Sequence, residues 1–269
     1  MAILTRPRTP PPDEENPYWM SFSDLMSGLL IIFILAAIAL IIELTEKTAQ
    51  YDEVLKQVKE AEKARRSIVE EVKNKLTAQG ISIIINDSAS VIRIPESSLK
   101  FEQGKADIPE DDVTQHVVRT TGQVLFQALV DDPRTKYLDT VFVEGHTDCT
   151  PYRGWKFDDN WDLSTKRSNA LWRFWSEGVA YTKDGLPDTR TLADLTSGSG
   201  SPLFSVSGYG ETRPLPNTRP NGLCAGDQPE LLGQNRRIDL RFTIRAPSQA
   251  FLEDELKGIQ SAASAEGNP

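Results

Sequence analysis

Two short stretches of this 269-residue chain carry side chains whose types and spacing could do chemistry. The first holds Asp24, in the string Trp-Met-Ser-Phe-Ser-Asp-Leu-Met-Ser-Gly, followed from Leu25 to Ile42 by 18 residues without a charge. An ionised aspartate at the centre of a membrane helix costs about 2.5–3.5 kcal/mol on insertion scales, so acids in such runs are rare and mark ion or proton pathways. Asp24 reads as an ion carrier. Ser23 and Ser27, with Ser21, can help solvate the ion or bond a neighbouring helix. The plain alternative is an interfacial carboxylate that reaches water. The second stretch is Val143-Glu144-Gly145-His146-Thr147-Asp148, leading through Asp159, Asn160 and Leu163 to a helix with Lys166, Arg167 and Asn169. An acid at a strand end facing a guanidinium near a helix start suits a small zwitterion: the carboxylate pairs with an ammonium, and the guanidinium holds a carboxylate bidentately. A surface salt bridge between Asp148 and Arg167 is the competing reading.

Composition removes several classes. The formal net charge is -9 from 39 acids and 30 bases, with no long basic run, so a nucleic-acid partner has no electrostatic footprint. Cys149, Cys224, His116 and His146 fit no metal-ligand spacing, and neither a metal nor a cofactor is expected. Whether the two cysteines pair stays open, because their separation in sequence weighs against it unless the fold brings them together. No Ser-His-Asp order, phosphate loop or usefully placed acid pair is present, and Gly208-x-Gly210 lacks the strand-to-helix context of a dinucleotide site. The chain does not read as an enzyme.

The elements that must position these residues follow in order. Residues 18–42 form a membrane-length apolar run, with Tyr18, Trp19 and Phe22 as interfacial aromatics and Glu43, Glu46 and Lys47 closing it. The acidic, proline-rich start from Thr9 to Glu15 argues against a cleaved signal peptide. Arg6 and Arg8 before the span compete with Lys47, Lys56 and Lys59 after it, so charge bias leaves orientation open. One helix cannot enclose a water-lined path, and a multi-helix membrane partner is implied. Residues 43–80 read as a helical linker. A heptad puts Leu44, Tyr51, Val58 and Val72 at a and Val54, Ala61 and Ile68 at d, which predicts a parallel dimeric coiled coil. A lone amphipathic helix lying on the membrane or on the following domain is the alternative. Residues 81–246 predict an α+β sandwich with helices on one sheet face: strands near 81–86, 89–94, 140–144, 204–209 and 238–244, and helices near 112–130 and 163–177. A C-terminal tail, 247–269, could dock a short helix.

Gly-His-Thr-Asp, then Asn-Trp-x-Leu-Ser and an arginine, resembles the peptidoglycan-binding signature of OmpA-like domains in its MotB form. Gly208-Tyr209-Gly210-Glu211, Arg213-Pro214 and Asn235-Arg236-Arg237 continue the resemblance, which covers residues 81–246. It implies that Asp148 and Arg167 bind diaminopimelate of the wall peptide, with Asn160 and Leu163 as framing positions and Arg237 in a partly structural role. The aromatic start before Ser-x-x-Asp-Leu-Met is similar to the B subunits of ion-driven stators, whose aspartate carries the ion. That likeness implies protons, or sodium, passing at Asp24, a MotA-like partner, and an inner-membrane chain with a cytoplasmic N-terminal segment (1–17) and a periplasmic domain. The acidic, proline-rich start and insertions near 181–202 and 217–232 depart from flagellar MotB and look more like ZorB of the Zorya anti-phage systems, which pairs with the MotA-like ZorA.

Overall fold

The structure, a computed structural model, describes residues 17–154, 156–219, 224 and 228–246, with side chains from residue 22 onward. The start segment before Pro17, the side chains of the interfacial aromatics Tyr18 and Trp19 and of Ser21, and the tail 247–269 lie outside what is described. The chain divides into two compact units, one ending at Leu55 and the other beginning at Lys56.

The first unit is the apolar part of helix α1 (Pro17–Ala78). Its large apolar side chains from Leu25 to Ile42 are 46–70% exposed all round the helix. Such a surface suits a helix solvated by lipid rather than one resting on a water-soluble core. It is the one helix among the described residues long and apolar enough to cross a membrane.

The second unit contains the rest of α1 and an α+β domain. A five-stranded sheet has the order β1 (Ile84–Ile85), β2 (Val91–Pro95), β7 (Arg237–Ile244), β3 (Leu138–His146), β6 (Phe204–Gly208). All neighbours are antiparallel except β3 and β6, which run parallel. Parallel neighbours need a crossover, and α3 (Asn160–Glu177) lies within it. Alternation along the strands sends Ile92, Ile94, Val141, Val143, Ile238, Leu240 and Phe242 into one core. Helix α2 (Asp112–Leu129) packs there through Val118, Leu125, Phe126 and Leu129, and α3 through Leu171 and Trp175. Asp111 caps α2 by accepting from Thr114 N–H, and Asp159 caps α3 by accepting from Asp162 N–H.

The expected coiled coil is corrected over its second half. Ala61, Ile68 and Val72, which the heptad assigns to a dimer seam, are buried, and Ile68, Val69, Val72 and Leu76 belong to the domain's own core. A stripe of period 3.5–3.6 reports a buried face but not what buries it. Here the cover is intramolecular, and Arg134 adds a contact by donating to Glu71 Oε2 at 2.5 Å. Leu44 and Tyr51, in the first unit, stay exposed.

Two segments read only as insertions are structured. The hairpin β4 (Tyr181–Lys183) and β5 (Leu186–Asp188) docks on α2, where Tyr181 stacks on Phe126 and its hydroxyl donates to Trp175 O. The other contains α4 (Pro229–Asn235), which delivers the chain to the start of β7.

Candidate functional site

Two glycines let α3 begin against the sheet. Gly145 on β3 pairs with Gly208 on β6. A Cβ at Gly145 would lie 2.1 Å from Ser164 O, and one at Gly208 would lie 2.4 Å from Thr165 N, so any larger residue at either strand end would push α3 away. Ser164 Oγ accepts from Gly210 N–H at 2.9 Å, and Thr147 N–H donates to Gly210 O at 3.0 Å. The ends of β2 and β3, the starts of α3 and β7, and the loop before α2 thereby meet at one end of the sheet.

There the Asp148 carboxylate is mostly buried. Its Oδ1 accepts from Thr150 N–H at 2.7 Å and its Oδ2 from Arg236 Nη1 at 2.5 Å. Arg236 also makes a fork on Glu96, Nε to Oε1 and Nη2 to Oε2, both at 2.7 Å. The Glu96 carboxylate, with Asp148 beside it, holds the Arg236 guanidinium charged well above its ordinary range. Asn160 is buried and donates from Nδ2 to Thr150 O at 3.0 Å, fixing the loop that carries Asp148.

Arg167 is held differently. Only 7% exposed, it donates from Nε to Lys105 O at 2.8 Å and from Nη2 to Glu102 O at 3.1 Å, with its guanidinium 5.1 Å from the Phe101 ring centroid. Burial lowers Arg167 to about 10, while nearby Glu96 and Asp148 favour its charge and Arg236 opposes it. No carboxylate pairs with it among the described residues, so the competing surface salt bridge between Asp148 and Arg167 is not formed. A cavity of about 10 Å³, room for about one water, lies between Glu96, Phe101, His146, Arg167 and Arg236.

Asp148, Asn160 and Arg167 thus lie together at this end of the sheet. Leu163 stands beside them in a small apolar cluster with Ala106 and Phe157, bracing the loop that supplies carbonyls to Arg167. Arg237 is turned elsewhere: it is buried, with Nε 3.1 Å from Asp239 Oδ2, Nη1 donating to Asn235 O and Nη2 to Arg213 O. The arginine that meets Asp148 is its neighbour Arg236, and Glu96 completes the cluster; sequence reasoning missed both. The tandem arginines were a usable signal, because adjacent residues entering a strand face opposite ways. Glu96 carries no local signal, since its partner lies 140 residues away.

The second face of the sheet carries a buried charge network. Arg93 donates to Asp239 at 3.0 and 3.1 Å, and Arg241 pairs with Glu144, whose carboxyl is pushed up by burial against the pull of that guanidinium. His146 stacks on Tyr209, and both ring nitrogens lack a hydrogen-bond partner among the described residues. Burial, with Arg237 next, lowers it to about 3, so it is neutral at ordinary pH.

At the apolar helix, Ser27 donates to Ser23 O at 2.7 Å, an internal bond of the helix that leaves Ser27 Oγ able to accept. Asp24 is exposed and makes no ion pair among the described residues. The cysteines, whose pairing the sequence left open, are joined: Cys149 and Cys224 form a disulfide with Cα atoms 5.6 Å apart. Among the described residues, no group of three or more His, Cys, Asp or Glu could hold a metal ion.

No family model matches the chain. It is 23% identical over 249 residues to the uncharacterized protein YtxE of Bacillus subtilis (strain 168), covering 82% of this chain and 86% of that protein. It is 24% identical over 184 residues to motility protein B of the same organism, covering 68% of this chain and 53% of that protein, so the match spans about half of that relative's length. Among solved structures it is similar to a MotB-like protein from Desulfovibrio vulgaris, with 21% identity and a TM-score of 0.46 over 70% of this chain and 98% of the other. The chain is thus similar, at a distance, to motility protein B, and it has an α+β domain that follows in sequence a helix of membrane-spanning length.

Proposed function

We propose that this chain is a stator-type B subunit: a single-pass inner-membrane protein whose periplasmic domain holds peptidoglycan and whose Asp24 passes ions beside a MotA-like multi-helix partner. The observation that carries the wall-binding half is the four-charge cluster Asp148, Arg236, Glu96 and Arg167. It contains two cations and two anions, and it includes one buried guanidinium with no carboxylate on it among the described residues. A ligand with both an ammonium and a carboxylate, such as the diaminopimelate of a wall peptide, can take Asp148 with the one and Arg167 with the other, in charge-assisted hydrogen bonds. The Arg236 fork on Glu96 keeps Asp148 beside a fixed counter-charge until the ligand arrives.

The disulfide supports an oxidising compartment for the domain, as the periplasm is. With the domain on the periplasmic side, the other end of the membrane helix is cytoplasmic in this reading. Asp24 then lies among apolar residues with Ser23 and Ser27 close by, and a partner must supply the remaining walls of any ion path. We assign protons as the carried ion, with sodium the alternative. Two copies of the chain meeting through the exposed Leu44 and Tyr51 part of the helix suit such a complex. The similarity to motility protein B favours a motility-type stator over the narrower ZorB and ZorA reading in anti-phage defence.

The test is co-sedimentation of the full chain, in detergent, with purified peptidoglycan sacculi. Arg167→Ala is expected to lower retention roughly tenfold or more, the loss of a charge-assisted bidentate contact. Asp148→Asn, which keeps shape and removes charge, should do the same. Retention unchanged in both variants would remove this site from wall binding.

A further inference from the structure

Three fastenings besides the Arg236 pair hold residues 148–150. Thr150 N–H donates to Asp148, Asn160 donates to Thr150 O, and Cys149 is bonded to Cys224. The first two fastenings are local. The third spans 75 residues, and Cys224 lies in the stretch that leads into α4, the helix after which Arg236 follows directly. Arg236 in turn donates to Asp148. The disulfide and the ion pair therefore join the same two stretches of chain, side by side. Cys149 is partly exposed and Cys224 is exposed, so a reductant can reach the bond.

We propose that the Cys149–Cys224 disulfide is a positioning clasp for the Asp148–Arg236 pair, which makes the grip on the wall ligand dependent on oxidation. The inference rests on the reading of this cluster as the wall-binding site. A loop closed by a covalent link has fewer conformations to lose, and a site ordered before binding holds its ligand more tightly. Reduction by a dithiol transfers two electrons and two protons to the S–S bond. It leaves two thiols on the chain and converts the dithiol to its own disulfide. The loop after Asp148 then keeps its two local fastenings, and Asp148 is free to move away from Arg236, which the fork on Glu96 still holds.

The experiment uses the full chain in detergent with sacculi and with dithiothreitol as the reductant. Retention is measured alongside amide hydrogen exchange at Thr150 and in α2. Reduction is expected to lower retention roughly tenfold, a preorganisation loss, and to speed exchange at Thr150 while α2 stays protected. The double variant Cys149→Ala/Cys224→Ala should match the reduced chain and ignore dithiothreitol. Equal exchange at Thr150 in the oxidised and reduced chains would overturn the clasp. So would faster exchange throughout α2, which marks a general stabiliser, or undiminished retention with a loosened Thr150. Failure of the oxidised chain to bind sacculi at all would instead sink the wall-binding reading, and the exchange data alone would then decide whether the clasp exists.

Discussion

Asp24 and Asp148 are both acids kept in apolar or buried surroundings, and they are treated in opposite ways. Asp148 is surrounded by groups from its own chain: a backbone N–H, the Arg236 guanidinium, and Arg167 nearby. Asp24 has no ion pair among the described residues and stands on a helix whose apolar side chains are exposed all round. A water-soluble domain can fold its counter-charges in from distant parts of the sequence. A single membrane helix cannot, because the residues within reach lie on its own narrow surface. The contrast teaches that, in the proposed stator, the wall-binding half would be complete within one chain while the ion-carrying half would need a partner.

The sharpest way to break the contrast is Asp24→Asn. In the proposed stator this variant should reach the membrane and hold sacculi at the level of the natural chain, yet lose all ion-driven output when reconstituted with its partner in vesicles. Full output from the amide would remove Asp24 from the mechanism.

Next in size is Ile68→Ala, which tests whether the second half of α1 belongs to the folded domain. Truncating this fully buried residue should lower unfolding free energy by about 3 kcal/mol in urea titrations. The midpoint should not depend on protein concentration, whereas a seam between two chains would make it so. Leu44→Ala, on the exposed part, should change domain stability by less than about 0.5 kcal/mol.

Acid should weaken the folded domain through His146. The unfolded imidazole titrates near 6.5, and the folded one stays neutral down to about 3, so between these values the unfolded chain binds more protons. Its contribution to stability is intact above about pH 6.5 and falls progressively toward pH 3. The loss reaches about 3 kcal/mol at pH 4. Subtracting the pH profile of His146→Gln isolates it, and superimposable profiles would show that the ring plays no such part.

A smaller loss than those at Ile68 and His146 sharpens the account of Asp148. Arg236→Ala leaves Glu96 and Asp148 without their shared cation and should destabilise the domain by about 2 kcal/mol. The value is discounted because the Arg236 side chain is 31% exposed. Double-mutant analysis with Asp148→Asn should recover part of that loss, and strict additivity would deny the pairing.

What could be read without the fold was what local pattern dictates. The uncharged run after Asp24, the amphipathic stripe of α2 and the alternation in β3 and β7 are periodicities within one element, and each element lies where its residues put it. The strand-end and helix-start positions of Asp148, Asn160 and Arg167 follow from the same patterns. Tertiary structure decided everything that depends on which surfaces meet. It turned the stripe at Ile68 and Val72 inward, joined Cys149 to Cys224, and chose Arg236 over Arg237 to face Asp148. Glu96 entered the cluster only because β2 and β7 are neighbours in the sheet. Periodicity fixes which face of an element is buried. Its partner is set by sums of weak contacts between segments far apart in the chain, and no short window of sequence contains them.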